Sequence, residues 1–230
     1  MRIVFLNTWD GKVKEEIGKF FDREIALGTD VFCLQEVYDK TKLGSDLLLS
    51  NFNHYDAYKK VGEKDAFSQL TFVKKCITEV TFSVLGEENA SIGSSLLTQL
   101  KINNQIFSIC NVHGLPQPGN KLDTKERLEH SKLIIDTLVN QKGPKIVGGD
   151  FNLEFETKSV RLFEEAGYKN LIKDFGIRTT RNSYVWDRYT GSKQYYSDYV
   201  FVSSDVSVLN FEVPNIEVSD HLPLTLEINT

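Results

Sequence analysis

The sequence predicts an α/β (α+β) protein in which mixed β-sheets are flanked by helices. Short apolar, β-rich runs alternate with stretches of helical spacing near the N-terminus and again around residue 130. A β-rich middle carries strand-like runs in close succession, two of them joined by a hairpin turn. Strand–helix–strand units combined with antiparallel hairpins imply mixed sheets. No repeat, low-complexity tract or linker interrupts the pattern, so residues 1–230 read as a single domain.

Ile3 to Leu6 reads as a first buried strand. Lys12 to Leu27 places Val13, Ile17, Phe20, Phe21, Ile25 and Leu27 at roughly helical spacing, and Gly28 stops the helix. Asp30 to Gln35 returns to strand, and Asp39 to Leu49 predicts a second helix. Strands are then expected over His54 to Lys60, Gln69 to Lys74, Ile77 to Leu85, Ser94 to Ile102 and Gln105 to Val112, with Asn103-Asn104 turning the last pair. Thr124 to Asn140 is the clearest helix, with Leu128, Leu133, Ile134 and Leu138 as its stripe and Gly143-Pro144 beyond its end. Lys145 to Val147 is a buried strand, and Ser159 to Ala166 a short helix ended by Gly167. Strands near Tyr184 to Trp186, Tyr199 to Val202, Val206 to Val213 and Leu222 to Ile228 complete the chain.

A chain of 230 residues is long enough for a sizeable core, and 40% hydrophobic with 26% charged residues is ordinary for a globular protein. The net charge of −5 argues against avid, nonspecific coating of nucleic acid, although a local basic groove is compatible with an acidic body. Cys33, Cys76 and Cys110 lie in apolar runs without paired spacing, which predicts small buried hydrophobes rather than a disulfide framework or a zinc site. Met1 to Leu6 is too short for the apolar segment of a signal peptide, and no apolar run approaches membrane-spanning length. A cytoplasmic protein without a transmembrane segment, and a monomer, is expected.

The functional signal is a series of polar clusters fused to apolar runs. They are Leu6-Asn7-Thr8, Leu34-Gln35-Glu36-Val37, Asn111-Val112-His113-Gly114, Gly148-Gly149-Asp150-Phe151-Asn152, Ser197-Asp198-Tyr199 and Ser219-Asp220-His221-Leu222-Pro223. Strand ends at one rim of a sheet gather distant residues into one pocket. Carboxylates, amides and imidazoles together suit a hard divalent cation and phosphate chemistry. Each cluster taken alone has an ordinary structural reading, as a cap, a turn or a satisfied core histidine. Asp150 and Asn152, two apart in extended chain, point the same way. Asp198 is placed to orient a histidine on a neighbouring strand.

In this order the clusters resemble the endonuclease/exonuclease/phosphatase superfamily, the DNase I-like fold. The resemblance runs from Asn7 to Pro223. It implies a four-layer sandwich of two packed mixed sheets flanked by helices, and Mg²⁺- or Mn²⁺-dependent cleavage of a phosphate ester. Carried over by position, Glu36 is the principal metal ligand, Asp220 supports that metal or a second one, and Asn7 helps order the site. Asp150 positions or deprotonates the attacking water, and Asn152 holds a phosphate oxygen. His221 is a base or transition-state donor oriented by Asp198, and His113 stabilises phosphate charge or assists the leaving group.

Two positions depart from the family pattern. Many members carry Asp two residues after the first Asn as a further metal ligand; here that residue is Trp9, and the nearest acid is Asp10, whose reach to the metal the sequence leaves open. The abasic-site endonuclease branch usually has Tyr where this chain has His113, so base-excision repair is disfavoured.

Substrate signals lie in Arg178 to Asn182, Trp186 to Tyr189 and Lys193 to Tyr196, where arginines and aromatics interleave. Arg181 and Tyr196 suit a phosphate grip and a stacked base, or a solvated loop with packed aromatics. Lys121 and Arg127, in and after a Pro/Gly-rich loop, suit phosphate contact or ordinary helix-surface charge. The expectation is a metal-dependent phosphodiesterase acting on a phosphate ester, nucleic acid first. A small phosphorylated molecule or phospholipid head group is the alternative, and a non-catalytic binding module a third reading.

Overall fold

The computed structural model describes residues 1–37, 52–60, 68–86, 92–187, 191 and 193–230. Among these, twelve strands form two six-stranded sheets. The first sheet contains β1 (Arg2–Asn7), β2 (Val31–Val37), β3 (Tyr55–Lys60), β4 (Ser68–Lys74), β11 (Val208–Glu212) and β12 (Leu224–Ile228), in the order β11-β12-β1-β2-β4-β3. The second contains β5 (Val80–Leu85), β6 (Ser94–Ile102), β7 (Gln105–His113), β8 (Lys145–Asp150), β9 (Lys169–Asn170) and β10 (Asp198–Val202), in the order β5-β6-β7-β8-β10-β9. Helices α1 (Lys14–Ala26), α2 (Lys125–Val139) and α3 (Lys158–Glu165) are joined by two short ones, α4 (Leu171–Asp174) and α5 (Ser183–Trp186).

Both sheets are built around one parallel pair. β1 and β2 run parallel with α1 between them in sequence, and β7 and β8 run parallel with α2 between them. The flanking pairs are antiparallel. In β1 and β2 successive residues serve different layers. Ile3, Phe5, Val31 and Cys33 enter the core shared with the second sheet, whereas Val4, Leu6, Phe32 and Leu34 pack with Ile17, Phe20 and Phe21 of α1. This is why the two strands read as continuous apolar runs rather than alternating ones. On the second sheet, Phe163 of α3 stacks on Phe201 of β10 at 4.5 Å between ring centroids, and Ile134 and Leu138 of α2 join the same core.

Local chemistry accounts for the element ends. Thr124 caps α2 by accepting from the Arg127 N–H at 3.2 Å. Asn103 and Asn104 both take left-handed φ, 50° and 64°, as a primed two-residue hairpin requires. β12 starts at Leu224 rather than Leu222, because Pro223 has no N–H to donate and the Leu222 N–H goes to Thr180 O at 2.8 Å.

The Tyr184 to Trp186 stretch, expected as a strand, is the helical turn α5. Asn182 caps it by accepting from the Tyr184 N–H at 3.1 Å, a local bond that outcompetes strand pairing. Cys76 is exposed in the turn after β4, not buried as expected, while Cys33 and Cys110 are buried. Burial pushes the Cys110 thiol up to about 12. The helix expected over Asp39 to Leu49 lies outside the described residues. No helix among the described residues is long and apolar enough to cross a membrane.

Candidate active site

The topology brings distant clusters to one rim. Asn7 and Gln35 are register partners near the C-terminal ends of β1 and β2, and His113 and Asp150 are partners at the ends of β7 and β8. β10 runs antiparallel to β8 and starts at Asp198 opposite Asp150. β12 runs antiparallel to β1, so Asp220 and His221, just before it, arrive at the same end. Ligand sites in α/β proteins favour the carboxyl ends of parallel strands for this reason. The cleft there has a volume of about 950 Å³, and its lining includes Glu36, Asp150, Asn152, Arg181, Asp220 and His221.

Asp150 is the most densely bonded group. Oδ1 accepts from Ser197 Oγ at 2.6 Å and from the Asn152 N–H at 2.9 Å. Oδ2 accepts from Asn7 Nδ2 at 3.0 Å and Asn152 Nδ2 at 3.2 Å. Burial alone would raise its pKa, but His221, Lys121, His113 and Arg181 outweigh that and hold the carboxyl far below the usual range. Asn7 is held at both ends, because its Oδ1 also accepts the Trp9 N–H at 3.0 Å.

His221 is buried, and its Nδ1 lies 2.9 Å from both carboxylate oxygens of Asp198. The far nitrogen, Nε2, sits 2.8 Å from Arg181 Nη1 and 3.8 Å from Asp150 Oδ2. A guanidinium can only donate, so the Arg181 contact uses the Nε2 lone pair of a neutral ring whose proton sits on Nδ1. Burial and Arg181 push the imidazole pKa down; Asp198, Asp150 and Asp220 outweigh them, and the net shift is upward. Arg181 also approaches Asp220 Oδ2 at 3.4 Å, and its buried Nε has no hydrogen-bond partner among the described residues.

Glu36 occupies a β-bulge, where the β2–β4 register shifts between Leu34 and Val37, and its φ is 50°. Its Oε1 lies 3.8 Å from His113 Nε2. Glu36, His113 and Asp150 form a cluster that could hold a metal ion, their ligand atoms lying within 4.8 Å of one another. The two carboxylates among them are hard oxygen donors, so the set fits a divalent cation of the magnesium kind. Asp220, expected to support that metal or a second one, is not in this cluster; its Oδ2 lies 3.4 Å from Arg181 Nη2. Asp10 is not part of the cleft lining.

Lys121 reaches the cleft and donates from Nζ to Asn152 Oδ1. Asn152 has φ 55° and donates from Nδ2 to Gly114 O at 3.0 Å as well as to Asp150. Tyr196, read as a stacking face for a base or as a packed aromatic, is not among the residues lining this cleft. Its ring packs on Phe155 at 5.1 Å and its hydroxyl donates to Ile177 O at 3.1 Å. Arg127 is neither surface charge nor a cleft residue; it is buried and bonded to backbone carbonyls.

Sequence reasoning missed Thr180, whose hydroxyl accepts the N–H groups of Ser197 and Asp198 at 3.1 and 3.2 Å and fixes the start of β10. It also missed Glu154, a cleft residue whose carboxyl burial pushes up. The signal for Glu154 was its place two residues beyond Asn152. Five of the non-glycine residues with positive φ, namely Trp9, Asp10, Glu36, Lys121 and Asn152, are in or next to the cleft. Such strain gathers where surrounding structure holds a functional geometry.

The chain belongs to the Endonuclease/Exonuclease/phosphatase family, whose model matches residues 6–221. No curated protein matches the sequence. Among solved structures, a D. rerio TDP2 humanized by 14 mutations superposes with a TM-score of 0.77 at 16% identity, covering 100% of this chain and 99% of that one. The mannosyl-6-phosphatase of Bacteroides thetaiotaomicron gives 0.69 at 16% identity, covering 100% of both chains. D. rerio TDP2 complexed with a single-strand DNA product gives 0.72 at 15% identity, covering 100% and 99%. At these identities the likeness is one of fold, and the fold is the two-sheet sandwich with a DNase I-like arrangement.

Proposed function

We propose that this protein hydrolyses phosphate esters with a divalent cation, Mg²⁺ or Mn²⁺, and that its substrate is a phosphodiester of the nucleic-acid type. The observation that carries the reading is the meeting of Asn7, Glu36, His113, Asp150, Asp198 and His221 at one rim from six separate strand ends. Glu36 would hold the cation, with Asp150 and His113 beside it and Asp220 and Asn7 in support. A bound cation neutralises charge that develops on the phosphate oxygens.

The residues of the chain supply the rest. Asp150, kept ionised and caged by four donors, is suited to align the attacking water rather than to remove its proton. Asp198 fixes the His221 ring, leaving Nε2 to take a proton or hold a phosphate oxygen once Arg181 turns to the substrate. Asn152, Arg181 and Lys121 would hold non-bridging oxygens. His113 would stabilise the phosphate or serve the leaving group. Water adds to phosphorus, the ester P–O bond breaks, and the departing oxygen gains a proton.

Two tryptophans in the cleft favour nucleic acid. Trp9 carries Lys12 Nζ 4.5 Å from its ring centroid, and Trp186 carries Lys193 Nζ at 5.1 Å. Aromatic faces paired with cations suit bases and phosphates of a single strand. The neighbour holding a single-strand DNA product supports the same choice. The net charge of −5 and the fold shared with a mannosyl-6-phosphatase favour the second reading, a small phosphorylated molecule. We read residues 1–230 as one domain acting as a cytoplasmic monomer.

The test assays purified protein with Mg²⁺, Mn²⁺ or EDTA on single- and double-stranded DNA, RNA and bis-p-nitrophenyl phosphate, with His221→Ala as control. Metal-dependent cutting of a polymer that His221→Ala abolishes, and that weakens steeply with salt, supports the nuclease. Turnover of the small diester alone supports the second reading. No turnover of any of them overturns the proposed phosphodiesterase.

A further inference from the structure

We propose that Arg127 is a positioning residue for the cleft, latching the 115–122 loop so that Lys121 is delivered onto Asn152. The proposal rests on the reading above for what Lys121 then does: hold the substrate phosphate.

Arg127 lies in the first turn of α2, 2% exposed, and no described carboxylate pairs with it in a salt bridge. Its guanidinium instead gathers one loop. Nη2 donates to Leu115 O at 3.0 Å and to Pro118 O at 2.7 Å, and Nη1 donates to Leu122 O at 2.5 Å. Three carbonyls spread over eight residues thus converge on one planar fork. A lysine ammonium lacks that geometry. Burying a cation is costly unless its donors are used.

The same loop forms a wall of the cleft through Pro116, Gln117, Gly119, Asn120 and Lys121. Its remaining ties are few. Gln194 Nε2 donates to Gly119 O at 2.6 Å from the opposite wall, and the Glu154 N–H donates to Lys121 O at 2.8 Å. Lys121 itself takes φ 57°, a backbone state that a lysine does not choose unaided. Its ammonium ends on Asn152 Oδ1, and the Asn152 amide reaches Asp150. Burial, with Arg181 and Arg127 nearby, lowers the Lys121 pKa, as befits an ammonium held away from bulk water. The line of force runs from Arg127 through the loop to Lys121, Asn152 and Asp150.

The test compares the wild type with Arg127→Met, Arg127→Lys, Lys121→Met and the Arg127→Met/Lys121→Met double variant. Hydrogen exchange is followed at the Lys121 and Glu154 amides, and kcat and KM are measured on bis-p-nitrophenyl phosphate with Mn²⁺. Arg127→Met should speed exchange at both amides and lower kcat about 10- to 100-fold, the scale of a displaced catalytic group. Arg127→Lys should fall between it and the wild type. In the double variant the two losses should not multiply, since a cation already absent cannot be misplaced.

Wild-type exchange and kcat in Arg127→Met overturn the proposal, and so do multiplied losses. If Arg127→Met does not fold, Arg127→Lys decides by the same two readouts. If the wild type turns over no phosphate ester, the proposed function falls, while exchange at the two amides still decides the latch.

Discussion

Replacing Asp150 by Asn tests the centre of the site, because each carboxylate oxygen accepts two donors. The new amide has two orientations. With its NH₂ in the Oδ2 position, the Nδ2 groups of Asn7 and Asn152 both face a donor and lose their acceptor. With its NH₂ in the Oδ1 position, Ser197 can rotate its hydroxyl to accept, but the Asn152 N–H is left unpaired. The protein takes the cheaper arrangement, which orphans one buried donor. An orphaned donor costs about 1–3 kcal/mol. Lost attraction to Lys121, Arg181 and His221 adds to this, and release from burying a charge subtracts. Urea unfolding at pH 7 should therefore show Asp150→Asn destabilised by about 1–3 kcal/mol, with an unchanged m-value. Ser197→Ala, which deletes one bond to an ionised acceptor, should lose about 1.5–3 kcal/mol. An Asp150→Asn protein as stable as the wild type, or more so, would refute the four-donor cage, and with it the argument that Asp150 is a fixed acceptor.

Other consequences follow from single contacts. Asp198→Asn keeps the shape beside His221 but removes the charge that holds its tautomer, so kcat should drop about 10²- to 10⁴-fold with KM little changed; a loss under about 3-fold would count against the pairing. Gly149→Ala places a Cβ 2.4 Å from Val112 O at φ 128°, and should cost about 2 kcal/mol or more by urea unfolding. Asp123 accepts from the Lys158 and Ser159 N–H groups at 2.7 and 2.9 Å and caps α3, so Asp123→Ala should cost about 1 kcal/mol. Burial would raise the Asp123 pKa, but the Ser159 hydroxyl, donating at 2.6 Å, and then those two N–H groups outweigh it, and the net shift is downward. A depressed carboxyl stabilises above its unfolded pKa and loses that contribution as pH falls through the folded one. The gap between wild type and Asp123→Ala should thus be constant near neutrality and close below about pH 4; a gap that persisted in acid would refute the cap.

What the sequence revealed and what it hid separate along physical lines. The strands were legible because both faces are buried, which leaves unbroken apolar runs such as Val31-Phe32-Cys33-Leu34. The Asn103-Asn104 hairpin was legible because few residue types tolerate left-handed φ twice in succession. Tyr184 to Trp186 misled because its β-prone residues are overruled by one cap, Asn182. For Tyr196 the sequence left two readings, a stacked base or a packed aromatic, and its side chain packs on Phe155 while Lys193 and Gln194 line the cleft. Arg127 was invisible as a loop anchor, since carbonyl contacts leave no pattern in residue types. The contact of Asp220 Oδ2 with Arg181 was also hidden, because no spacing in the chain announces it.

The motif residues that make no chemistry explain how the rest are aligned. Gln35 precedes Glu36, and Asn111 lies two before His113; both are fully buried. Gln35 Nε2 donates to Asn111 Oδ1 at 2.6 Å, Asn111 Nδ2 donates to Leu70 O at 2.9 Å, and Gln69 Nε2 donates to Asn111 O at 2.7 Å. These bonds join β2 and β4 of one sheet to β7 of the other. The surrounding core, built of residues such as Phe5, Val112 and Leu97, supplies attraction but little directionality. Two sheets held only by such contacts are free to settle in more than one offset. Among the described residues this amide network leaves Gln35 Oε1 without a partner but bonds the Gln35, Asn111 and Gln69 amide nitrogens, and slipping it strands those donors too in a dry interior. Glu36 sits on one sheet and His113 on the other, 3.8 Å apart at their tips. The amides a few ångströms behind them fix that separation, so a polar residue in the core does for the site what apolar packing does for the fold.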